Sequence, residues 1–238
     1  MAGTFVLITG AWHGGWAWRP VAEQLRAAGR QVLTPTLPGL RDGEDPTPYT
    51  LSDVIDSVVE LVEGEDLRDV TLVGHSWGGY VIAGAAPRLA ARLRKLVFWS
   101  AFVPAEGRSV YDEVPPNYQA LFDGQAAASG NHTVAMPFEV WQAAFMPDAS
   151  EDVQRMVHSL LLPQPMQYFT ETVVPLDLDT LGVPVAYLLG EDDVALPPGE
   201  YGWTRFAERL GVAPIPTPGT HEACFTRPAE LAESFLKA

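Results

Sequence analysis

The chain of 238 residues has a single cysteine, two lysines and no long apolar run, and each shortage removes a class of function. One thiol, Cys224, excludes an intramolecular disulfide and any cysteine-clustered zinc or iron–sulfur centre. Its residue type reads as a small buried apolar group. Lys95 and Lys237 are the only lysines, and 15 basic residues face 30 acidic ones, for a formal charge of −15. Such a chain would repel a phosphate backbone rather than neutralise it. The densest basic grouping, Arg88, Arg92, Arg94 and Lys95, reads as a helix end, so nucleic acid is set aside as a partner. No stretch approaches the ~18 apolar residues that span a bilayer. Phe5–Thr9 is too short for the core of a secretory leader, and no basic residue precedes it. The expectation is a cytoplasmic protein without a membrane partner.

What is present is a well-mixed globular composition, 47% hydrophobic and 19% charged, without repeats or low-complexity tracts. Strand and helix signals alternate over the first hundred residues. Phe5–Ile8 is a short apolar run of the kind buried on both faces of a parallel sheet, and Gln31–Thr34, Val70–Val73 and Leu96–Trp99 read as further strands. Between them fall helical patterns at Trp18–Ala28, after the Thr50-x-x-Asp53 capping signature, and at Gly78–Leu89. The rhythm breaks at Pro104 and resumes with strand Pro184–Leu189, helix Trp203–Leu210, strand Ala213–Ile215 and helix Ala229–Leu236. Alternation of this kind implies βαβ units and an α/β fold. The reading is a sheet core from 1–103 and 180–238, with 104–179 inserted as a mainly helical cap. Helical stretches in the insertion are expected near Phe138–Phe145 and Glu151–Leu161.

The chemistry concentrates at the loops that follow strands. Gly74-His75-Ser76-Trp77-Gly78-Gly79 fits G-x-S-x-G between a strand and a helix, the context of a nucleophile elbow. A serine there sits on a strained turn, and glycines let strand and helix approach. The helix N-terminus then aims backbone N–H groups at a developing oxyanion. Serine needs a base, and behind such an elbow the order is serine, acid, histidine. His13 and His75 precede Ser76, while His132 and His158 fall in the insertion. His221, in the loop after the last short strand, is left as the base. His221-Glu222 does not continue into a zinc-protease H-E-x-x-H, because position 225 is Phe225. Three acids follow the strand before it, Glu191, Asp192 and Asp193. Asp193 has the favoured spacing to orient the imidazole, and Asp192 is its competitor. The Gly-rich loop Thr9–Trp16 would supply the second oxyanion donor, with the amides of Ala11 and Trp77 forming the hole. It has neither a phosphate-binding G-x-x-x-x-G-K-[ST] nor G-x-G-x-x-G pattern.

These motifs together resemble the α/β-hydrolase superfamily. Within it the chain is similar to the branch of plant hydroxynitrile lyases, plant methylesterases and small bacterial esterases. The likeness runs from Phe5–Trp18 through the elbow at 74–79 to Gly219-Thr220-His221. It implies a mostly parallel sheet of about six strands and a cofactor-free, metal-free Ser–His–Asp hydrolase of small esters. The lyases of that branch carry a threonine after the first strand and a lysine after the histidine. Gly10 and Glu222 stand at those positions here, which favours an esterase, and Glu222 is expected to bring negative charge near a departing anion. Met136, Phe138, Trp141, Phe145, Met146, Met156, Met166, Tyr168 and Phe169 crowd the insertion, and some of them should roof an apolar pocket above Ser76. The expected partner is a small apolar or aryl ester. A homodimer is compatible with the sequence. A ligand-sensing protein, or a lyase or cyclase using the same pocket, are the competing readings, since fold alone does not fix function.

Overall fold

In the computed structural model, which describes residues 3–238, six parallel strands form one sheet in the order β2-β1-β3-β4-β7-β8. They are β1 (Thr4–Ile8), β2 (Gln31–Leu33), β3 (Val70–His75), β4 (Leu93–Trp99), β7 (Val185–Gly190) and β8 (Ile215–Thr217). The two remaining strands, β5 (Thr133–Val134) and β6 (Gln164–Pro165), pair antiparallel in a separate ribbon. β1 and β3 are buried at every residue, as their unbroken apolar runs require of strands covered on both faces. Alternate residues of β1 feed two cores. Phe5 and Leu7 join Trp18, Leu25, Trp99 and Phe235 on one face, while Val6 and Ile8 join Val54, Leu72 and Tyr80 on the other.

The helices of the sheet domain are α1 (Arg19–Ala27), α2 (Leu51–Gly64) and α3 (Gly78–Leu89). The capping box is formed: the Thr50 hydroxyl accepts from the Asp53 amide, and the Asp53 carboxylate accepts from the Thr50 amide. Between β4 and β7 lie α4 (Val110–Glu113), α5 (Pro116–Ala128), α6 (Phe138–Val140), α7 (Glu151–His158), α8 (Gln167–Thr170) and α9 (Leu178–Leu181). A π-helical turn, Trp141–Phe145, continues α6. After β7 come α10 (Thr204–Arg209), α11 (Ala223–Thr226) and α12 (Pro228–Lys237).

Several elements differ from the sequence expectation, among them β8, β4 and α5. β8 starts at Ile215, two residues late, because its register is set by pairing Leu188 with Ile215 rather than by local propensity. β4 starts three residues early, at Leu93, where the exposed Arg94 sits beyond the apolar run. α5 went unread because only Tyr118, Phe122 and Ala126 turn inward, a stripe too narrow to announce a helix. The basic grouping is spent within the molecule. Arg88 pairs with Asp56, Arg92 with Asp66 and Arg94 with Asp69, while Lys95 reaches the Ala238 carbonyl. Among the described residues no helix is long and apolar enough to cross a membrane.

The inserted residues share one hydrophobic core with the α2–α3 face of the sheet. They are also stitched to the loops at the strand ends. The Trp12 indole donates to the Val134 carbonyl at 2.8 Å and the Trp77 indole to that of Tyr168 at 2.9 Å. The Trp12 amide donates to Gln164 Oε1 at 3.1 Å, and the Leu162 amide donates back to the Trp12 carbonyl at 2.9 Å.

Candidate active site

Every residue singled out for chemistry leaves the sheet at the C-terminal end of a strand, where open parallel sheets place their sites. Ser76 follows β3 at φ 52°, in the left-handed region that a serine enters only under strain. The turn is held by its own backbone: the Ser76 amide donates to the Ser100 carbonyl at 3.1 Å, and the Ser76 carbonyl accepts from Gly79 and Phe102 at 3.1 and 3.0 Å. The flanking glycines are sterically required. A Cβ at Gly78 would lie 2.5 Å from the Thr9 carbonyl oxygen, and one at Gly79 would lie 2.0 Å from that of Phe102.

His221 lies beyond β8, and its Nδ1 is 2.7 Å from Asp193 Oδ2, with both side chains buried. The other oxygen of Asp193 accepts from the Ala195 amide at 3.0 Å, so the carboxylate cannot swing away. Asp192 and Glu191 are exposed, which leaves Asp193 as the neighbour of the imidazole. Burial pulls the His221 pKa down, but the charge and hydrogen bond of Asp193 outweigh it, and the imidazole is held above the ordinary value of 6.5. Three rings confine it: Trp203 stacks at 5.2 Å, Phe145 meets it edge-on at 5.3 Å and His75 lies at 4.5 Å. His75 stacks in turn on Trp99 at 4.3 Å, and burial keeps it neutral, well below an ordinary histidine.

Ser76 and His221 open into one narrow pocket. Ala11 and Trp77 also line it, and among the described residues neither of their amides finds an intramolecular acceptor. Trp77 precedes α3, so its N–H points out of the positive end of a helix. The walls are apolar, with Trp12, Phe102, Phe122, Phe169, Leu196 and Trp203 among them. One polar side chain joins them. Tyr118 has its phenol pushed up to about 12 by burial and the charge of Asp193, so it stays a neutral donor.

Of the aromatic residues expected over the pocket, Phe145 and Phe169 line it, while Tyr168 stacks behind Trp77 at 5.4 Å. Met156 is exposed instead. Tyr118 and Phe122 arrive on α5, the helix the sequence did not signal, and Trp203 sits outside the insertion altogether.

Glu222 corrects the sequence reading. Its carboxyl is buried and turned away from the pocket, 3.6 Å from His13 Nε2 and 3.6 Å from the Cys224 sulfur. Burial pushes its pKa up to about 8, so near neutral pH the carboxyl is mostly protonated, and its charge, where present, acts on His221 by raising the imidazole pKa. Gly10 is tight as well as open: a Cβ there would lie 2.9 Å from His75 Nδ1 and 3.1 Å from Ser76 Cβ. A threonine at this position would require His75 to move. One ring nitrogen each from His75 and His221 and a Glu222 oxygen lie within 4.8 Å of one another, a grouping of metal-ligand types. Burial holds the Glu222 carboxyl protonated and His221 is already engaged by Asp193, so we assign no metal to it.

Comparison with known proteins agrees with this architecture. The profile of the alpha/beta hydrolase family matches residues 5–234. A carbendazim-hydrolyzing esterase from Nocardioides sp. (strain SG-4G) is 36% identical over 246 residues, covering 96% of each chain. Methylesterase 1 of Arabidopsis thaliana is 27% identical over 252 residues, covering 98% of this chain and 94% of its own. Among solved structures, an extracellular alpha/beta-hydrolase from a Paenibacillus species superposes with a TM-score of 0.94 at 32% identity. That match covers 99% of this chain and 98% of the other, and its description reports structural and functional homology to tobacco salicylic acid binding protein 2.

Proposed function

The chain belongs to the alpha/beta hydrolase family, and on that premise we propose that it is a serine hydrolase of small apolar or aryl carboxylic esters. The observation that carries this reading is the buried His221–Asp193 pair at 2.7 Å, opening onto the same apolar pocket as Ser76 on its strained turn. Ser76 Oγ attacks the ester carbonyl while His221 takes its proton, and Asp193 fixes the ring tautomer and stabilises the imidazolium. The amides of Ala11 and Trp77 receive the oxyanion. His221 then hands the proton to the leaving alcohol, and water repeats the sequence on the acyl-enzyme. No cofactor or metal enters these steps.

The insertion 104–179 acts as the cap. Its aromatic side chains suit a flat or apolar acyl group. The esterase and methylesterase relatives support the same substrate class. We place the enzyme in the cytoplasm from the sequence reading. The Paenibacillus neighbour is described as extracellular, so fractionation of the host cell decides this point.

The test is labelling by a fluorophosphonate together with a panel of methyl and phenyl esters. Wild-type protein should be labelled and active, and Ser76→Ala should lose both, with turnover falling by on the order of 10⁴–10⁶-fold. A wild-type protein that is neither labelled nor active on any ester would replace this reading with ligand sensing. Cyanohydrin cleavage at a rate comparable to ester hydrolysis would replace it with a lyase.

A further inference from the structure

A second buried polar group lies behind the pocket and bridges two loops. His13 and Glu222 are each almost fully buried, at 2% and 1% exposure. The His13 ring sits among Trp16, Trp141 and Phe225, with centroids 5.6–6.1 Å away. Its Nδ1 lies 2.7 Å from the Ala11 carbonyl oxygen. A carbonyl only accepts, so Nδ1 carries the hydrogen and Nε2 of the neutral ring presents a lone pair. That lone pair has no hydrogen-bond partner within ordinary range and faces Glu222 Oε2 at 3.6 Å.

At 3.6 Å the two atoms do not yet make a hydrogen bond, but two buried lone pairs facing each other repel, and a proton carried by one of the pair relieves that repulsion. Either the carboxyl donates to the imidazole or the imidazolium faces a carboxylate. Burial decides in favour of the neutral pair, because it drives His13 down to about 4 and Glu222 up to about 8. The groups facing Glu222 are His13, His221 and the Cys224 thiol, with His75 nearby and Asp148 and Asp193 acting at longer range.

The two residues also stand at two catalytic places. His13 holds the Ala11–Trp12 peptide by its carbonyl, Gln164 holds the same peptide by the Trp12 amide, and Ala11 supplies an oxyanion donor. Glu222 directly follows His221, and its own amide is held by the Phe145 carbonyl at 3.2 Å. We propose that Glu222 and His13 are positioning residues that share one proton and thereby fasten the oxyanion-hole loop to the loop carrying the base. The proposal rests on the ester-hydrolase reading for its kinetic consequences, but the shared proton does not depend on it.

The experiment compares the wild type with Glu222→Gln and Glu222→Met. kcat and KM for a phenyl ester are followed from pH 6 to 9.5, beside fluorophosphonate labelling and the infrared band of protonated carboxyl groups. In the wild type the band is present at pH 7 and bleaches with a midpoint near 8, and kcat falls over the same interval. Glu222→Gln lacks that band; its amide donates to His13 at every pH, so it rescues neutral-pH turnover and removes the alkaline fall. Glu222→Met keeps its melting temperature but loses tenfold or more in kcat at all pH, with KM little changed, as a displaced oxyanion donor requires. Full kcat in Glu222→Met, or an alkaline fall that survives in Glu222→Gln, overturns the positioning role. Absence of the carboxyl band overturns the shared proton even if no ester is ever turned over. Loss of Ser76 labelling in the wild type indicts the hydrolase reading instead.

Discussion

The floor of the pocket and its roof are built on different terms. At the floor, Ser76, Asp193 and His221 each leave a parallel strand within four residues of its end, so a backbone ladder sets their positions. At the roof, Phe122 and Phe169 stack on each other at 4.6 Å and lean on Trp12, held by side-chain contact across long sequence separations. The floor therefore separates chemistry from stability, because its side chains can change while the ladder persists. The roof cannot make that separation, since its rings are both the wall of the pocket and part of the core.

The largest expected contrast lies within the floor. Asp193→Asn should lower turnover by on the order of 10⁴-fold, whereas the exposed Asp192→Asn should stay near wild type. Steady-state rates of both variants measure this, and the reverse ranking would show that the imidazole is oriented from elsewhere. The pH profile sharpens the same point. Because Asp193 holds the His221 pKa above 6.5, the active neutral base accumulates only as pH rises past that value. The acid limb of kcat/KM should lie above 6.5 in the wild type and move to lower pH in Asp193→Asn.

At the roof the effect should be smaller and of another kind. Phe169→Ala removes a ring that is 2% exposed and stacked on Phe122. It should cost up to about 3–5 kcal/mol of stability, as buried Phe→Ala changes do. KM for aryl esters should rise more than kcat falls, and small alkyl esters should be spared. Calorimetry with a two-substrate comparison checks both halves. A pure kcat effect with no loss of stability would break the distinction between floor and roof.

Smallest of all should be a change where the two meet. Asp148, in the insertion, accepts from Thr220 at 2.8 Å and Thr226 at 2.7 Å, on either side of the base loop. Asp148→Ala leaves two hydroxyls seeking partners, and the Thr226 contact is exposed, so roughly 1–2 kcal/mol is expected in thermal unfolding. A few-fold drop in kcat should accompany it.

The same contrast explains what could be read from the chain. The sheet was legible because Phe5–Ile8 and Val70–Val73 are unbroken apolar runs. The elbow was legible because G-H-S-W-G-G needs two glycines where Thr9 and Phe102 press in. Asp193 stood out by spacing, yet its neighbours are equally acidic, and only the burial of its side chain separates them. The roof was legible only in part, through Phe145 and Phe169. Tyr118 and Phe122 ride a helix with a narrow apolar stripe, and Trp203 belongs to a segment far from the insertion in sequence. Glu222 was misread because a residue beside the catalytic histidine invites the thought that it faces the ligand. The loop turns there, with the Ala223 amide donating to the Thr220 carbonyl, and the side chain goes inward.

The stitching of insertion to strand ends also governs how molecules enter and leave. Trp12 is bonded at its amide, its carbonyl and its indole to three different points of the insertion. Lifting the insertion as a lid would tear all three, and with them the peptide next to the oxyanion donor. A ligand that enters without that loss has to pass while these backbones stay in place, so the side chains at the pocket wall, Leu196 and Val114 among them, set the gap it meets. A wall pinned in this way should select by cross-section, favouring narrow ligands over broad ones.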